Sequence, residues 1–216
     1  MGANESMERI LKTGVVAIMR ANSSDQLLGA AKAVLAGGVE AIEVTMTTPG
    51  ALDVIRQATS QFGKDVLFGV GSVLDAETAR VAILAGAQFV VCPTFKLETV
   101  ELCKRYSIPV VPGAYTPTEI LTAWEAGANA VKVFPASVSG PAYIKAIKGP
   151  LPQISLSAVG GVTVENTADF FRAGVDFVGV GGELVNQKLL DASDFAEITG
   201  RARNFRTQVE MGRSRQ

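Results

Sequence analysis

The chain has 216 residues, 48% of them hydrophobic and 19% charged, which is enough apolar content for one sizeable core and unlike the composition of a disordered segment. A formal net charge of −1 excludes a global basic field that would attract nucleic acid or an anionic membrane, so small molecules are the expected partners. Histidine is absent, which removes Ser-His and Cys-His nucleophile pairs and the commonest transition-metal ligand together; acid-base work falls to Glu, Asp, Lys or Tyr.

In chain order, a short helix is predicted around Ser6 to Lys12, followed by apolar runs at Val15 to Met19, Ala41 to Thr45, Leu67 to Val70 and Phe89 to Cys92. Four more follow, at Val110 to Pro112, Ala130 to Phe134, Ile154 to Val159 and Phe177 to Val180, and the starts of successive runs lie 20 to 26 residues apart. Most intervals have helical periodicity and a recognisable cap. Thr48-Pro49 and Thr116-Pro117 place proline at a first helical position, and Thr116 with Glu119 forms a capping box. Eight strands alternating with helices predict a closed parallel (β/α)8 TIM barrel with a short N-terminal helix, one domain over residues 1–216, slightly below the typical ~250 residues. An open doubly wound sheet is the alternative, but its dinucleotide fingerprint is missing after the first strand.

No apolar stretch approaches the ~18 residues of a spanning helix, and the start MGANESMERI lacks the basic region and apolar core of a signal peptide. The expected location is the cytoplasm, or the plastid stroma if a transit peptide has been removed. Cys92 and Cys103 are too few for a disulfide framework or a zinc site and are expected to be buried fillers. Trp124 is expected to pack a core or subunit contact. Arginines between Arg201 and Arg215 are expected on a solvated C-terminal helix that ends in a frayed tail.

Within this pattern Lys132 stands out, because it lies in the apolar run Val131-Lys132-Val133-Phe134 that Pro135 closes. Lysine is almost never fully buried without a partner, and burial lowers its pKa, the usual way to make the amine nucleophilic. The chain also repeats itself. Gly38-Val39-Glu40-Ala41-Ile42-Glu43, Gly86-Ala87-Gln88-Phe89-Val90-Val91, Gly127-Ala128-Asn129-Ala130-Val131-Lys132 and Gly174-Val175-Asp176-Phe177-Val178-Gly179 align without gaps, each leading into an even-numbered strand. A barrel interior is filled in layers of four side chains from alternate strands, so this register predicts Glu43, Val91, Lys132 and Gly179 in one layer. A structural ion pair is the plain alternative, but desolvation offsets much of the attraction in such pairs, and a catalytic pair is the expectation.

The motifs Glu43-Val44-Thr45, Gly69-Val70-Gly71-Ser72-Val73-Leu74, Pro112-Gly113 with Thr116-Pro117-Thr118-Glu119, Lys132-Val133-Phe134-Pro135-Ala136 and Gly160-Gly161 occur in an order and spacing that resemble one family. That family is the 2-keto-3-deoxy-6-phosphogluconate and 4-hydroxy-2-oxoglutarate aldolases, and the resemblance covers about residues 8 to 190. It implies a homotrimeric class I aldolase acting on a small 2-oxo acid without metal or cofactor. By the same resemblance Lys132 forms the Schiff base, Glu43 is the acid-base residue, Ser72 and Pro93 line the pyruvate end, and Phe134 packs beside the lysine. The chemistry of the residues agrees: cleaving the C3–C4 bond of a 2-oxo acid needs an electron sink at C2, and a protonated lysine imine supplies one. The same imine would serve oxaloacetate decarboxylation.

Three departures bear on the substrate. Thr47 stands where many members carry arginine, Ala158-Val159-Gly160-Gly161 replaces Pro-Thr-Gly-Gly, and Gly181-Gly182-Glu183 replaces a segment in which serine commonly helps to hold phosphate. Loops after strands seven and eight form the usual phosphate cradle of this fold, and the amides of Gly160, Gly161, Gly181 and Gly182 remain available there. Two hydroxyl donors are nonetheless missing and Glu183 adds an acid, so the phosphorylated sugar acid is expected to be the poorer substrate. The rival readings are a phosphate-binding barrel isomerase or synthase and a non-catalytic binding module.

Overall fold

A computed structural model describes residues 3–20 and 23–214 of the chain. Helix α1 (Ala3–Thr13) precedes the barrel, whose strands are β1 (Val15–Met19), β2 (Ala41–Thr45), β3 (Leu67–Gly71), β4 (Val90–Val91), β5 (Val110–Val111), β6 (Gly113–Ala114), β7 (Val131–Val133), β8 (Leu156–Val159) and β9 (Phe177–Val180). All recorded strand pairings are parallel, in the order β5-β4-β3-β2-β1-β9-β8-β7-β6. β5 and β6 are two halves of one barrel strand, interrupted at Pro112, which has no N–H to give a ladder. One half pairs with β4 and the other with β7, and the Pro112 carbonyl accepts the Lys132 N–H at 2.9 Å, so the cylinder closes as the expected eight-stranded barrel.

The repeated segments have a physical origin. Each repeat's glycine follows a helix C-terminus with positive φ: 87° at Gly38, 110° at Gly86, 93° at Gly127 and 105° at Gly174, a conformation that a side chain would strain. Two residues further on, the Gln88, Asn129 and Asp176 side chains accept the Phe68, Val110 and Leu156 backbone N–H groups. Each repeat thus stops a helix and splices the next strand onto its neighbour. Glu40 instead holds Arg9 of α1 at 3.0 Å.

The outer layer contains α2 (Ser24–Ala36), α3 (Ala51–Phe62), α4 (Ala76–Leu84), α5 (Leu97–Arg105), α6 (Pro117–Glu125), α7 (Ala136–Lys148), α8 (Val164–Arg172), the short α9 (Gln187–Asp191) and α10 (Phe195–Arg213). The capping box of Thr116 and Glu119 forms as predicted, but Pro49 lies outside its helix. There Gly50 caps α3 with φ 67°, a left-handed conformation that moves the helix start to Ala51. Cys92 and Cys103 are free and buried, and Trp124 packs partly buried against the outer core.

The expected solvated C-terminal helix is corrected, while the end of its tail, with Arg215, lies outside the described residues. α10 buries Ile198, Ala202, Phe205 and Val209, and it lies against α8 and α2. Its Arg206 donates to the Thr13 carbonyl, and Arg213 donates to the Leu11, Lys12 and Asp176 carbonyls while stacking on Phe171. These arginines satisfy the open carbonyls at the end of α1, which composition alone does not reveal. No described helix is long and apolar enough to cross a membrane.

Candidate active site

Side chains alternate across a strand, so β2 sends Ala41 and Glu43 into the barrel while Ile42 and Val44 face the helices. The same parity on β7 turns Lys132 inward between Val131 and Val133. Glu43, Val91 and Gly179 line the interior cavity together, and Glu43, Lys132 and Gly179 line the cleft above it, so Glu43 and Gly179 are the members of the predicted layer common to both. Glu43 is 3% exposed and Lys132 6%. Among the described residues they make no direct ion pair, which leaves space between amine and carboxylate.

Burial dominates the electrostatics of both groups. It pushes the Lys132 ammonium below the ordinary lysine value, against the opposing pull of Glu43, and the Arg20 charge adds to the lowering. It pushes the Glu43 carboxyl above the ordinary carboxylate value, against the charges of Lys132 and Arg20. The Lys132 Nζ lies 4.7 Å from the centroid of the Phe134 ring, whose π face favours a cation there. Burial thus moves an amine and an acid toward their uncharged forms in one cleft, and the attraction between the two only partly offsets it.

The glycines of β3 make room for this arrangement. A Cβ at Gly71 would overlap the Glu43 carboxylate, so only glycine lets that side chain lie across β3. The next residue, Ser72, holds a left-handed φ of 58°, which is costly for a residue with a side chain and places it on the wall of the cleft. Such strain at a cleft wall is typical of a positioned group.

The cleft encloses about 360 Å3 at the C-terminal ends of the strands, where barrels of this kind carry their chemistry. It brings together Lys132, Glu43, Ser72, Pro93, Phe134, Gly160, Gly161, Gly181 and Gly182 from the sequence-predicted set. Thr47 is not in its lining; its Oγ1 lies 2.9 Å from that of Thr45 instead. Val159 and Glu183 do reach the cleft. Asn186 donates to the Gly182 carbonyl at 3.2 Å and Arg201 to the Glu183 carbonyl at 3.1 Å, so side chains from beyond the loop hold its glycine turn. On the other side Asn166 accepts from the Thr163 N–H and donates to the Gly161 carbonyl, joining the Gly160-Gly161 turn to the start of α8.

Sequence reasoning missed Arg20, the residue after β1, which lines the same cleft and couples to both Glu43 and Lys132. The signal was present: Arg20 directly follows an apolar strand, at the end of the barrel where functional side chains gather. It supplies a permanent cation that the three departures did not count.

The family model for "KDPG and KHG aldolase" matches residues 7–201. The chain is 38% identical over 174 residues to the 2-dehydro-3-deoxy-6-phosphogalactonate aldolase of Escherichia coli strain K12, covering 80% of this chain and 85% of that protein. Among solved structures, a native KDPGal structure superposes with a TM-score of 0.86 at 33% identity, over 93% of this chain and 96% of that one. The KDPG aldolase of Legionella pneumophila, with pyruvate captured as a covalent carbinolamine intermediate, superposes with a TM-score of 0.85 at 26% identity, over 92% and 96%. With the family model spanning nearly the whole barrel and a relative at this identity, the chain belongs to the KDPG and KHG aldolase family.

Proposed function

We propose that this chain is a class I aldolase that cleaves a 2-oxo-4-hydroxy acid to pyruvate and an aldehyde, with Lys132 as the imine-forming residue. The observation that carries it is the buried amine and the buried carboxylate that line one cleft at the C-terminal ends of the strands. Unprotonated Nζ attacks the C2 carbonyl to give a carbinolamine, which loses water to leave a protonated imine. Glu43 accepts the C4 hydroxyl proton as the C3–C4 bond breaks, releasing the aldehyde and an enamine. Protonation at C3 and hydrolysis then return pyruvate and the free amine. The Phe134 face favours the cationic imine over the neutral amine. The related Legionella protein was trapped with pyruvate at the carbinolamine step, which supports the first of these steps here.

Within the cleft Arg20 attracts an anion while Glu183 repels one, and the glycine amides can serve either a carboxylate or a phosphate. We infer that 4-hydroxy-2-oxoglutarate is preferred over the phosphorylated sugar acid, since Arg20 suffices for a single-charged carboxylate and Glu183 opposes a dianion. Oxaloacetate decarboxylation uses the same imine and only the pyruvate half of the site. kcat/KM for the three substrates in one buffer tests the order, and Glu183→Ala should raise the phosphorylated substrate selectively. A tenfold preference of the unaltered protein for the phosphorylated acid would show that Arg20 and the amides outweigh Glu183. A homotrimer in the cytoplasm is the proposed working form; the exposed Leu74, Leu84 and Val138 supply apolar surface for subunit contacts, and light scattering reads the mass.

Borohydride reduction with pyruvate tests the central step: the intact mass should rise by one pyruvyl unit per chain, located at Lys132. An unmodified mass rules the aldolase reading out. The pH dependence has a sign. An ammonium cannot attack, so trapping should fall as pH drops through the Lys132 value, and because burial lowers that value, trapping should persist at pH values where an ordinary lysine is inert.

A further inference from the structure

Beneath the cleft lies a second, small cavity inside the barrel, lined by Glu43, which it shares with the cleft, and by Ile10 of α1. Its remaining walls are apolar, including Val16, Phe89, Val91 and Phe177, and among the described residues two polar side chains reach it: Glu43 and Ser157. Ser157 is on β8, directly paired in register with Lys132. It is fully buried, at 0% exposure, and its Oγ has no hydrogen-bond partner among the described residues. Buried hydroxyls are nearly always bonded, so an orphan aimed into a cavity indicates a missing partner. The space open to a water centre is about 10 Å3, enough for one water, and a site with two polar partners can hold it where a purely apolar one would stay dry.

We propose that Ser157 is a positioning residue for Glu43, acting through one water sealed beneath the carboxylate. This rests on the proton-transfer reading of Glu43. The water accepts from or donates to the Ser157 hydroxyl and donates to the lower carboxylate oxygen, leaving the upper oxygen to face Lys132 and the substrate. That bond fixes the carboxylate's rotation and favours its ionised form against the effect of burial. The other titratable or charged groups around Glu43 are Lys132, Arg20, the Cys92 thiol and, across the cleft, Glu183. Lys132, Arg20 and Glu183 line the open cleft and Cys92 packs in the outer core, so among the described residues Ser157 is the polar side chain that shares the lower cavity with Glu43.

The test uses pyruvate alone, so it does not depend on the aldol substrate: exchange of the pyruvate methyl protons for deuterium, followed by NMR against pH for the unaltered protein, Ser157→Ala and Glu43→Gln. For Ser157→Ala we expect exchange slowed about tenfold, as for loss of one well-made hydrogen bond to a charged group. The half-saturating pyruvate concentration should stay within about twofold and borohydride trapping should remain intact, since neither reads the carboxylate. Losing a donor to the ionised form raises the carboxyl pKa, so the acid limb of the profile should move to higher pH. A Ser157→Ala profile that overlays the unaltered protein, with Glu43→Gln inactive in exchange, overturns the inference and spares Glu43. Normal exchange in Glu43→Gln overturns the proton-transfer reading itself. A crystal structure of the unaltered protein decides without any variant: a water within hydrogen-bond distance of both Ser157 Oγ and Glu43 supports the inference, and a dry cavity overturns it.

Discussion

The two ends of the barrel interior are built from the same strands and do opposite work. Toward the N-terminal ends, Ala41, Leu67, Phe89, Ala130 and Phe177 pack with Met7 and Ile10 of α1 into an apolar plug. Toward the C-terminal ends the same strands present Arg20, Glu43, Lys132 and, from the following loop, Glu183. Two residues along a strand separate Ala41 from Glu43 and Ala130 from Lys132, a step of roughly 6–7 Å at the strand rise. The lesson is that burial is one resource used twice. Below it removes apolar surface from water and stabilises the fold. Above it destabilises two charges, and that cost is what makes them reactive.

The sharpest break in the comparison is made at the upper end. Lys132→Ala should abolish both pyruvate trapping and turnover while leaving a folded barrel, because it removes a disfavoured buried charge. Glu43→Gln should retain imine formation and lose about 10²- to 10⁴-fold in rate, the range for a general acid-base group. Near-normal turnover in Glu43→Gln would assign the proton transfers to water or to another residue.

At the lower end the same size of edit should act on stability instead. Leu67 is fully buried in this plug and lines neither cavity. Leu67→Ala should cost about 2–5 kcal/mol of unfolding free energy, read in denaturant, with kcat per folded molecule close to that of the unaltered protein. A loss of activity at unchanged stability would mean that the two halves are not separable. The smallest expected effect lies at the outer edge of that plug. Arg213→Ala removes three carbonyl contacts and the stacking on Phe171, and about 1–2 kcal/mol of stability should go with them. A thermal scan that shows no shift would return these contacts to the status of surface decoration.

Sequence alone determined the architecture, because a (β/α)8 chain writes its period into local features: a positive-φ glycine ends a helix at Gly38, Gly86, Gly127 and Gly174, and apolar strands follow at even spacing. It also placed Glu43 and Lys132 in one layer, since shared register and strict alternation of side chains are local rules. Tertiary structure decided what depends on residues distant in the chain. Thr47 turned to Thr45 and out of the cleft lining, Pro49 was left outside α3 by the left-handed Gly50, and Gly71 proved to be a space for the Glu43 carboxylate. Arg20 entered the cleft and the C-terminal arginines closed on α1, because a long cation's partner is chosen by what folds next to it. The orphaned hydroxyl of Ser157 is the same kind of fact: a serine in an apolar strand is unremarkable until the barrel closes and sets it in one cavity with Glu43.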